Sequence, residues 1–274
     1  MRLQGQAARD FLHGQTTADF KACVPGDIRY AAFCNPKGRV LADTLAVVVS
    51  DAEVLLRGRE PVMLKLTDHL TPYLAFSRCT LSPTDWFVER TPVTQAETQA
   101  ALEYVAEDLA VVTIPVEAGY REQWRPPCSK EDHEPTAQSC ADILGNRARI
   151  ELQTVGHYLP QDLNYDLNGT VSFSKGCYTG QEIIARLHYR GTPKRRLHRA
   201  QVAAPVASGD TLIDADSRTV GSIVNHCKLG RNIELLIELV PAAAAGTVAL
   251  REGGEALTHI SPCHDGNDQS TGSR

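Results

Sequence analysis

Residues 171–190 read VSFSKGCYTGQEIIARLHYR, and the hydrophobic period of this stretch changes halfway along it. Apolar and polar residues first alternate, which predicts a short strand. Gly176 and Gly180 then bracket a tight turn, and from Gln181 onward the apolar residues recur at helical spacing. Cys177 is therefore expected in a turn, two residues after a lysine and just before a helix N-terminus, and both neighbours favour the thiolate form.

The cysteines show no spacing that would join them into a framework. Eight are scattered along the chain, with no Cys-x-x-Cys and no histidine–cysteine pair at zinc-ligand spacing. We therefore expect reduced thiols and no metal site built by this chain alone. For Cys177, a small inert side chain packed in a turn is the alternative to a reactive thiol, and the residues alone leave both open.

The composition is that of an ordinary soluble globular protein, with 42% hydrophobic and 22% charged residues. A chain of 274 residues is long enough for about two domains. No apolar run approaches the ~18 residues needed to cross a membrane, and the opening sequence MRLQGQ lacks the apolar core of a secretion signal. These features predict a cytoplasmic protein without membrane contacts, and we expect a monomer.

The charge is unevenly distributed. The formal net charge of -5 argues against general nucleic-acid binding, yet no acidic residue occurs between Ile183 and Gly209. That segment carries six cations: Arg186, Arg190, Lys194, Arg195, Arg196 and Arg199. A solvated basic surface and a site for an anionic ligand, such as RNA phosphate, both remain open.

The hydrophobic pattern elsewhere predicts an α+β fold, because helices and strands mix without strict alternation. Helices are predicted over 7–12, 61–70 and 96–108, and strands over 28–33, 40–49, 53–57, 80–81 and 109–116. The stretch 119–146 has no period and predicts an irregular surface loop. Short strands over 197–206, 211–213, 219–226, 233–240 and 247–251 predict a small antiparallel β-barrel.

The motif KGCYTGQE at 175–182, followed by Ala-Arg at 185–186 and Tyr-Arg-Gly at 189–191, resembles the signature of the YgfZ family. These are folate-binding proteins related to the glycine-cleavage T-protein, an aminomethyltransferase. Residues 11–19 and 157–164 also resemble the family's motifs. The resemblance implies a tetrahydrofolate-binding factor that assembles or repairs iron–sulfur proteins, with Cys177 as its functional thiol beside Lys175. It also implies an indirect link to tRNA modification, through modifying enzymes that carry iron–sulfur clusters.

The resemblance further implies a domain organisation. A T-protein-like folate-binding region with mixed antiparallel sheets and helices would cover 1–193, with its first strand missing or clipped and an irregular loop at 119–146. A small C-terminal antiparallel β-barrel would cover 194–264, and 265–274 would be a disordered tail. The partners implied are folate and client iron–sulfur proteins or their assembly machinery.

Folate contacts follow from the resemblance at ten positions: Gln15, Thr17, Asp19, Glu151, Asn164, Tyr178, Gln181, Glu182, Arg186 and Arg190. Glu151 stands in an Arg-Ile-Glu segment similar to the family's, in which the glutamate pairs with the pterin ring. A carboxylate suits that task, because it accepts two parallel hydrogen bonds. The basic segment 186–199 would hold the anionic tail of a polyglutamylated folate.

Three other functions are open alternatives. An aminomethyltransferase needs an acidic pair in the hairpin, and the corresponding positions here are Ala42 and Asp43. A thiol hydrolase would need His188 as base for Cys177, but on a helix starting near Gly180 His188 lies about two turns on, roughly 12 Å along the axis, which is too far for direct contact. An RNA-binding module would need an aromatic stacking platform, which the sequence does not reveal, so direct nucleic-acid binding is not expected.

Overall fold

Three antiparallel sheets and four α-helices are the main elements of the part of the chain that the computed structural model describes, namely residues 1–92, 112–116, 120–125 and 136–264. The helices are α1 (Ala8–Gln15), α2 (Glu60–Ser77), α3 (Thr136–Leu144) and α4 (Gln181–Arg190). The first seven strands are β1 (Arg2–Gln4), β2 (Ile28–Cys34), β3 (Val40–Ser50), β4 (Glu53–Arg57), β5 (Thr80–Ser82), β6 (Phe87–Pro92) and β7 (Val112–Val116). The others are β8 (Tyr120–Arg125), β9 (Arg196–Val202), β10 (Thr211–Ile213), β11 (Thr219–Leu229), β12 (Asn232–Leu239), β13 (Ala249–Leu250) and β14 (Thr258–Pro262).

The first sheet has the strand order β2-β3-β4-β1-β5. Successive side chains of a strand point to opposite faces, and β3 is buried on both. Ala46 and Val48 belong to the main core with residues of α1 and α2, whereas Leu45 and Val47 pack in a second cluster with Trp124 of β8. This explains the apolar run of β3. The predicted hairpin of β2 and β3 is confirmed, and β1 lies inside the sheet, between β4 and β5.

The second sheet has the strand order β6-β8-β7. It shows that the prediction of an irregular loop over 119–146 is wrong for part of that stretch. That stretch contains β8 and α3. In β8 a fully buried position holds Glu122, which forms ion pairs with Arg57 and Arg90. Because this inward position is charged and not apolar, the strand lacks the alternating hydrophobic pattern that would have predicted it. The predicted strand at 109–116 appears as β7, and the predicted helix at 96–108 lies outside the described residues.

The third sheet, in the order β13-β10-β11-β12-β9-β14, curls into a half-barrel. Five of its strands match those predicted beyond residue 193, and β14 is an addition. One set of its apolar side chains forms a core of its own, while Leu197, Val224 and Leu236 join the main core. The α+β class is thereby confirmed. The division at residue 193 stays a prediction, and the predicted tail at 265–274 lies outside the described residues.

Two other local predictions are wrong. The strand predicted at the start of 171–190 is an irregular segment, because the N–H groups of Val171 and Ser172 bond to isolated carbonyls of Tyr165 and Thr17, not to a neighbouring strand. The helix predicted to end near residue 70 continues to Ser77. It passes through a proline because its buried stripe extends by another turn.

A disulfide joins Cys140 of α3 to Cys227 of β11, with the two Cα atoms 5.4 Å apart. This corrects the expectation of reduced thiols for that pair. The two cysteines are 87 residues apart and are brought together only by the packing of α3 against the third sheet. Within the described ranges, no helix combines the length and the apolar character that a membrane span requires.

Candidate functional site

Cys177 lies on an exposed loop between the irregular segment and α4. The helix begins at Gln181, as predicted, and the side chain of Gln181 accepts a hydrogen bond from the backbone N–H of Tyr178 (3.1 Å). A second bond runs from the N–H of Thr179 to the carbonyl of Gly14 at 3.3 Å. The loop is thus held at its base while the thiol faces solvent.

Lys175 anchors this loop from the inside. Its side chain is buried, and Nζ donates hydrogen bonds to the carbonyls of His13 and Thr16, the latter at 2.7 Å. These carbonyls belong to the C-terminal end of α1, where backbone acceptors lack helical partners. Nζ also lies 4.6 Å from the ring centroid of Tyr178. Burial lowers the pKa of Lys175 to about 8. The structure therefore gives Lys175 a positioning contact that holds the Cys177 loop against α1.

Close packing on the other side of the loop requires glycine. Gly180 has a φ of +85°, and a Cβ there would lie 2.5 Å from the carbonyl oxygen of Asn35 in the β2–β3 turn. In the same turn, Gly38 has a φ of +72°, and its Cβ would lie 3.1 Å from the Cβ of Ile183. The start of α4 is therefore pressed against the predicted hairpin turn, which fixes where the Cys177 loop ends.

His13, which the sequence did not single out, lies beside the loop. Its Nδ1 is 3.1 Å from Oδ1 of Asp19, and its Nε2 is 3.2 Å from the position that a Cβ on Gly176 would take. Burial lowers the pKa of His13. Burial would raise the pKa of Asp19, but hydrogen bonds from two backbone N–H groups and from His13 outweigh it and hold that pKa below its usual range. Asp19 thus orients His13 against the loop.

The other free cysteines of the described residues are shielded. Cys23, Cys34 and Cys79 are buried, and Cys263 is half-buried. Burial raises the pKa of all four thiols, to about 12 for Cys34 and Cys263. Their thiolate fraction at neutral pH is therefore very small. Cys177 differs in being exposed.

Cys177 should consequently react with iodoacetamide at neutral pH faster than these four cysteines, because its side chain is exposed to the reagent whereas theirs are buried or half-buried. Mass mapping after a brief treatment measures the order of modification. Unfolded protein, in which access is equal, serves as the control. A native protein in which Cys177 is among the slowest to react would contradict a functional thiol.

Several of the predicted folate contacts have structural partners. Thr17 is buried, and its hydroxyl donates to the carbonyl of Thr170 (2.7 Å) and accepts from the N–H of Ala32 (2.9 Å). Asn164 is buried and accepts from the N–H of Leu197 at 3.3 Å. Gln15 is the last residue of α1 and half-buried. Glu182, Arg186 and Arg190 are exposed on α4.

Glu151 lies elsewhere, at a polar cavity of about 300 Å³. Its Oε1 accepts from Nε of Arg59 (3.0 Å) and from Nδ2 of Asn225 (3.3 Å). Burial raises the pKa of the Glu151 carboxyl. The cavity is lined by Arg59, Asp142, Glu151, Gln153, Ala207, Ser208, Asn225 and His226. The structure thus separates the predicted site into two places, since no residue of the Cys177 loop is among those lining this cavity.

The sequence missed the other cavity residues because they come from the residue before α2, from α3, from the short turn after Glu151, from the loop before β10 and from β11, each with an unremarkable local pattern. A second cavity, of about 380 Å³, lies beside the first sheet. Leu55, Met63, Trp86 and Trp124 are among its lining residues, and none of them belongs to a motif segment.

A buried charge network lies beneath the first sheet. Arg149 is 1% exposed, and its Nε is 2.9 Å from Oδ2 of Asp43, whose Oδ1 accepts from the N–H of Ile150 at 2.7 Å. Burial alone would lower the pKa of Arg149, but Asp43 and Asp142 outweigh it and raise that pKa. A cavity of about 10 Å³, enough for one water molecule, touches Arg149, Asp43 and Tyr165. The carboxylate of Asp43 is therefore committed to an internal ion pair.

The basic segment divides into two groups. Three of its arginines form ion pairs: Arg195 with Glu238 at 3.1 Å, Arg196 with Asp166 at 2.7 Å, and Arg199 with Glu234 at 3.0 Å. The other three cations, Arg186, Arg190 and Lys194, are exposed. Only the second group is available to an anionic ligand without breaking an ion pair of the described residues.

Known proteins resemble the chain over most of its length. It is 27% identical over 240 residues to the tRNA-modifying protein YgfZ of Vibrio vulnificus, covering 80% of this chain and 72% of that protein. It is 26% identical over 285 residues to the tRNA-modifying protein YgfZ of Pectobacterium carotovorum, covering 92% and 84%. No protein-family model matches the chain.

The fold resembles a solved structure, that of the glycine cleavage system aminomethyltransferase T from Bartonella henselae. The TM-score is 0.69 and the sequence identity 15%, over 93% of this chain and 81% of that one. At this identity the likeness describes the fold. The chain is thus similar over most of its length to YgfZ proteins, the family that its motifs resemble, and it has the fold of aminomethyltransferase T.

Proposed function

We propose that this protein is a tetrahydrofolate-binding factor that assembles or repairs iron–sulfur proteins through the thiol of Cys177, and thereby supports tRNA modification. The observation that carries the proposal is the exposed thiol on an anchored loop, with Lys175 buried beneath it. An anchored loop that presents a thiol to solvent suits a reaction with another macromolecule. The relatives named as tRNA-modifying proteins support the last part.

A single thiolate supplies one ligand to an iron–sulfur cluster, and clusters take several cysteines. Cys177 would therefore act together with the ligands of a client or assembly protein. Lys175 anchors the loop for that encounter, and His13, oriented by Asp19, lies against Gly176 of the loop. This assigns Cys177 the contact with the partner and Lys175 and His13 positioning roles.

The polar cavity at Glu151 has the donor and acceptor groups that a pterin ring needs. Glu151 keeps acceptor sites beyond its bonds to Arg59 and Asn225, since a carboxylate has about four. His226 also lines the cavity, and Asn225, whose amide bonds to the backbone of Arg149 as well as to Glu151, holds that carboxylate in place. The volume of about 300 Å³ falls at the lower end of the range for small-molecule sites. Glu151 and His226 would thus hold the pterin, with Asn225 orienting Glu151, and the folate would bring one-carbon chemistry when bound.

Titration calorimetry with tetrahydrofolate tests this part. We expect binding by the wild-type protein and a loss of about 10- to 150-fold for Glu151→Gln, because a hydrogen bond to a charged group contributes about 1.5–3 kcal/mol. Glu53→Gln, at the start of β4 and not among the residues that line this cavity, is the matched control and should bind as the wild type does. Equal affinity of the Glu151→Gln protein would reject this cavity as the folate site.

An aminomethyltransferase is the second candidate, because the fold resembles aminomethyltransferase T. Its requirement is an acidic group in the hairpin that can stabilise charge on a folate nitrogen. Asp43 is the acid at that position, and its two oxygens already bind Arg149 and the N–H of Ile150. This observation favours a structural role for Asp43 and the assembly factor over the transferase.

A further inference from the structure

Three aromatic rings meet where α4 ends. Phe173, from the irregular segment before Cys177, stacks on His188 of α4 with centroids 3.7 Å apart and planes 12° apart. Tyr189 stands edge-on to both rings, 4.8 Å from His188 and 6.2 Å from Phe173. Tyr189 is 67% exposed. We call Phe173, His188 and Tyr189 the aromatic trio.

Exposed cations flank the aromatic trio. Arg186 and Arg190 are four residues apart on α4, so their side chains lie on one face, about 5–6 Å apart at Cβ. Arg186 also precedes Tyr189 by three residues, which places the two side by side. Lys194 is exposed just beyond the helix. In contrast with Arg195, Arg196 and Arg199, these three cations form no ion pair among the described residues.

The two features point to one kind of ligand. An exposed ring offers a face on which any unpaired nucleobase can stack, and neighbouring cations bind the phosphates on either side of it. A polyglutamate tail would use the cations only, because it has no ring to stack. A duplex would offer phosphates but keep its bases covered by their neighbours. Of these three ligands, single-stranded RNA uses both features.

We propose that the aromatic trio, with Arg186, Arg190 and Lys194, binds a single-stranded segment of RNA, with an unstacked base on Tyr189. The sequence did not reveal a stacking platform, and this argued against RNA binding. The aromatic trio of the structure is such a platform. The inference stands on the trio and its cations, and needs neither the thiol of Cys177 nor a folate. Phe173 is four residues before Cys177, so the same segment carries a ring of the platform and the thiol.

Fluorescence anisotropy with a labelled single-stranded RNA of about ten nucleotides tests the stacking contact. We expect the full chain to bind it and Tyr189→Ala to weaken binding about 5- to 150-fold, since one stacked base contributes about 1–3 kcal/mol. Tyr189→Phe keeps the ring and should bind nearly as the wild type does. The matched control is Tyr73→Ala, which removes another exposed tyrosine next to a histidine, on α2, and should change nothing.

The salt dependence tests the phosphate contacts. For three contacts, the logarithm of the binding constant should fall with the logarithm of salt concentration with a slope of about -2. Arg186→Glu and Arg190→Glu should each weaken binding and flatten the slope, whereas Lys65→Glu, an exposed cation on α2, should not. Cys177→Ser and Glu151→Gln should bind RNA normally, which separates this inference from the proposed function.

Several outcomes would overturn the proposal. Lack of binding even at about 50 mM salt would do so, as would equal losses in Tyr73→Ala and Tyr189→Ala. Competition by duplex RNA as effective as that by single strands would mean that phosphates alone are bound. Unchanged binding by Tyr189→Ala combined with loss in Arg186→Glu would instead identify a simple anion site, such as one for a polyglutamate tail.

Discussion

Cys177→Ser should leave the protein folded and yet fail to restore iron–sulfur enzyme activity in cells that lack the protein. Serine is close in shape to cysteine, and the side chain is exposed, so the melting temperature should change little. The hydroxyl, however, is a far weaker nucleophile and metal ligand than a thiolate at neutral pH. The expected result is the full loss of complementation with an unchanged fold.

The alternatives make different predictions for the same assay. A thiol hydrolase with His188 as base would lose as much from His188→Ala as from Cys177→Ser. For an aminomethyltransferase the cysteine would be dispensable. Cys263→Ser, at a half-buried free cysteine, is the matched control and should complement. Tetrahydrofolate affinity of Cys177→Ser should equal that of the wild type, because the thiol is not among the residues that line the Glu151 cavity. Full rescue by Cys177→Ser would refute the proposed function.

Arg149→Met should destabilise the protein by about 3–5 kcal/mol, because it leaves the buried carboxylate of Asp43 without its counter-ion. That is a large share of the stability of a typical domain, which is about 5–15 kcal/mol. Urea unfolding followed by circular dichroism measures the change. Arg218→Met is the matched control. Its partner Asp216 is exposed, and such pairs contribute about 0–1 kcal/mol.

The double variant Asp43→Asn with Arg149→Met decides the cause. If the single variant suffers from an uncompensated charge, removing that charge should recover part of the loss, so that the two effects are not additive. Additive losses would mean that Arg149 contributes through packing alone. Any activity measured on Asp43→Asn must be compared with its melting temperature, because Asp43 is a structural acid here.

Acid should weaken the same network in the wild-type protein. Burial opposes the ionised form of Asp142, but Arg149, Arg57 and Arg90 outweigh it and lower the pKa to about 2 from 3.8. Because the folded-state pKa is the lower one, the stabilisation is present above about pH 4 and is lost as the pH falls toward 2. In Arg149→Met this acid loss should be smaller.

The sequence predicted elements whose pattern is local. The start of α4 at Gln181, the hairpin of β2 and β3, and the strands of the half-barrel each depend on residues that are neighbours in the chain. The local prediction failed where a long-range contact replaced the usual apolar partner. The polar strand β8 owes its place to ion pairs of Glu122, and α2 continues past Pro72 because its apolar stripe stays buried.

The candidate site shows the same division. The sequence alone determined three features: the position of Cys177 in a turn before a helix, the basic segment that follows, and the family resemblance. The tertiary structure decided that Lys175 binds the carbonyls of α1, that Cys140 joins Cys227, and that Arg149 pairs with Asp43. These partners are 87 to 162 residues apart, and no local period records such contacts. Only packing brings them within bonding distance, because buried charges and donors take whichever partner the fold places beside them.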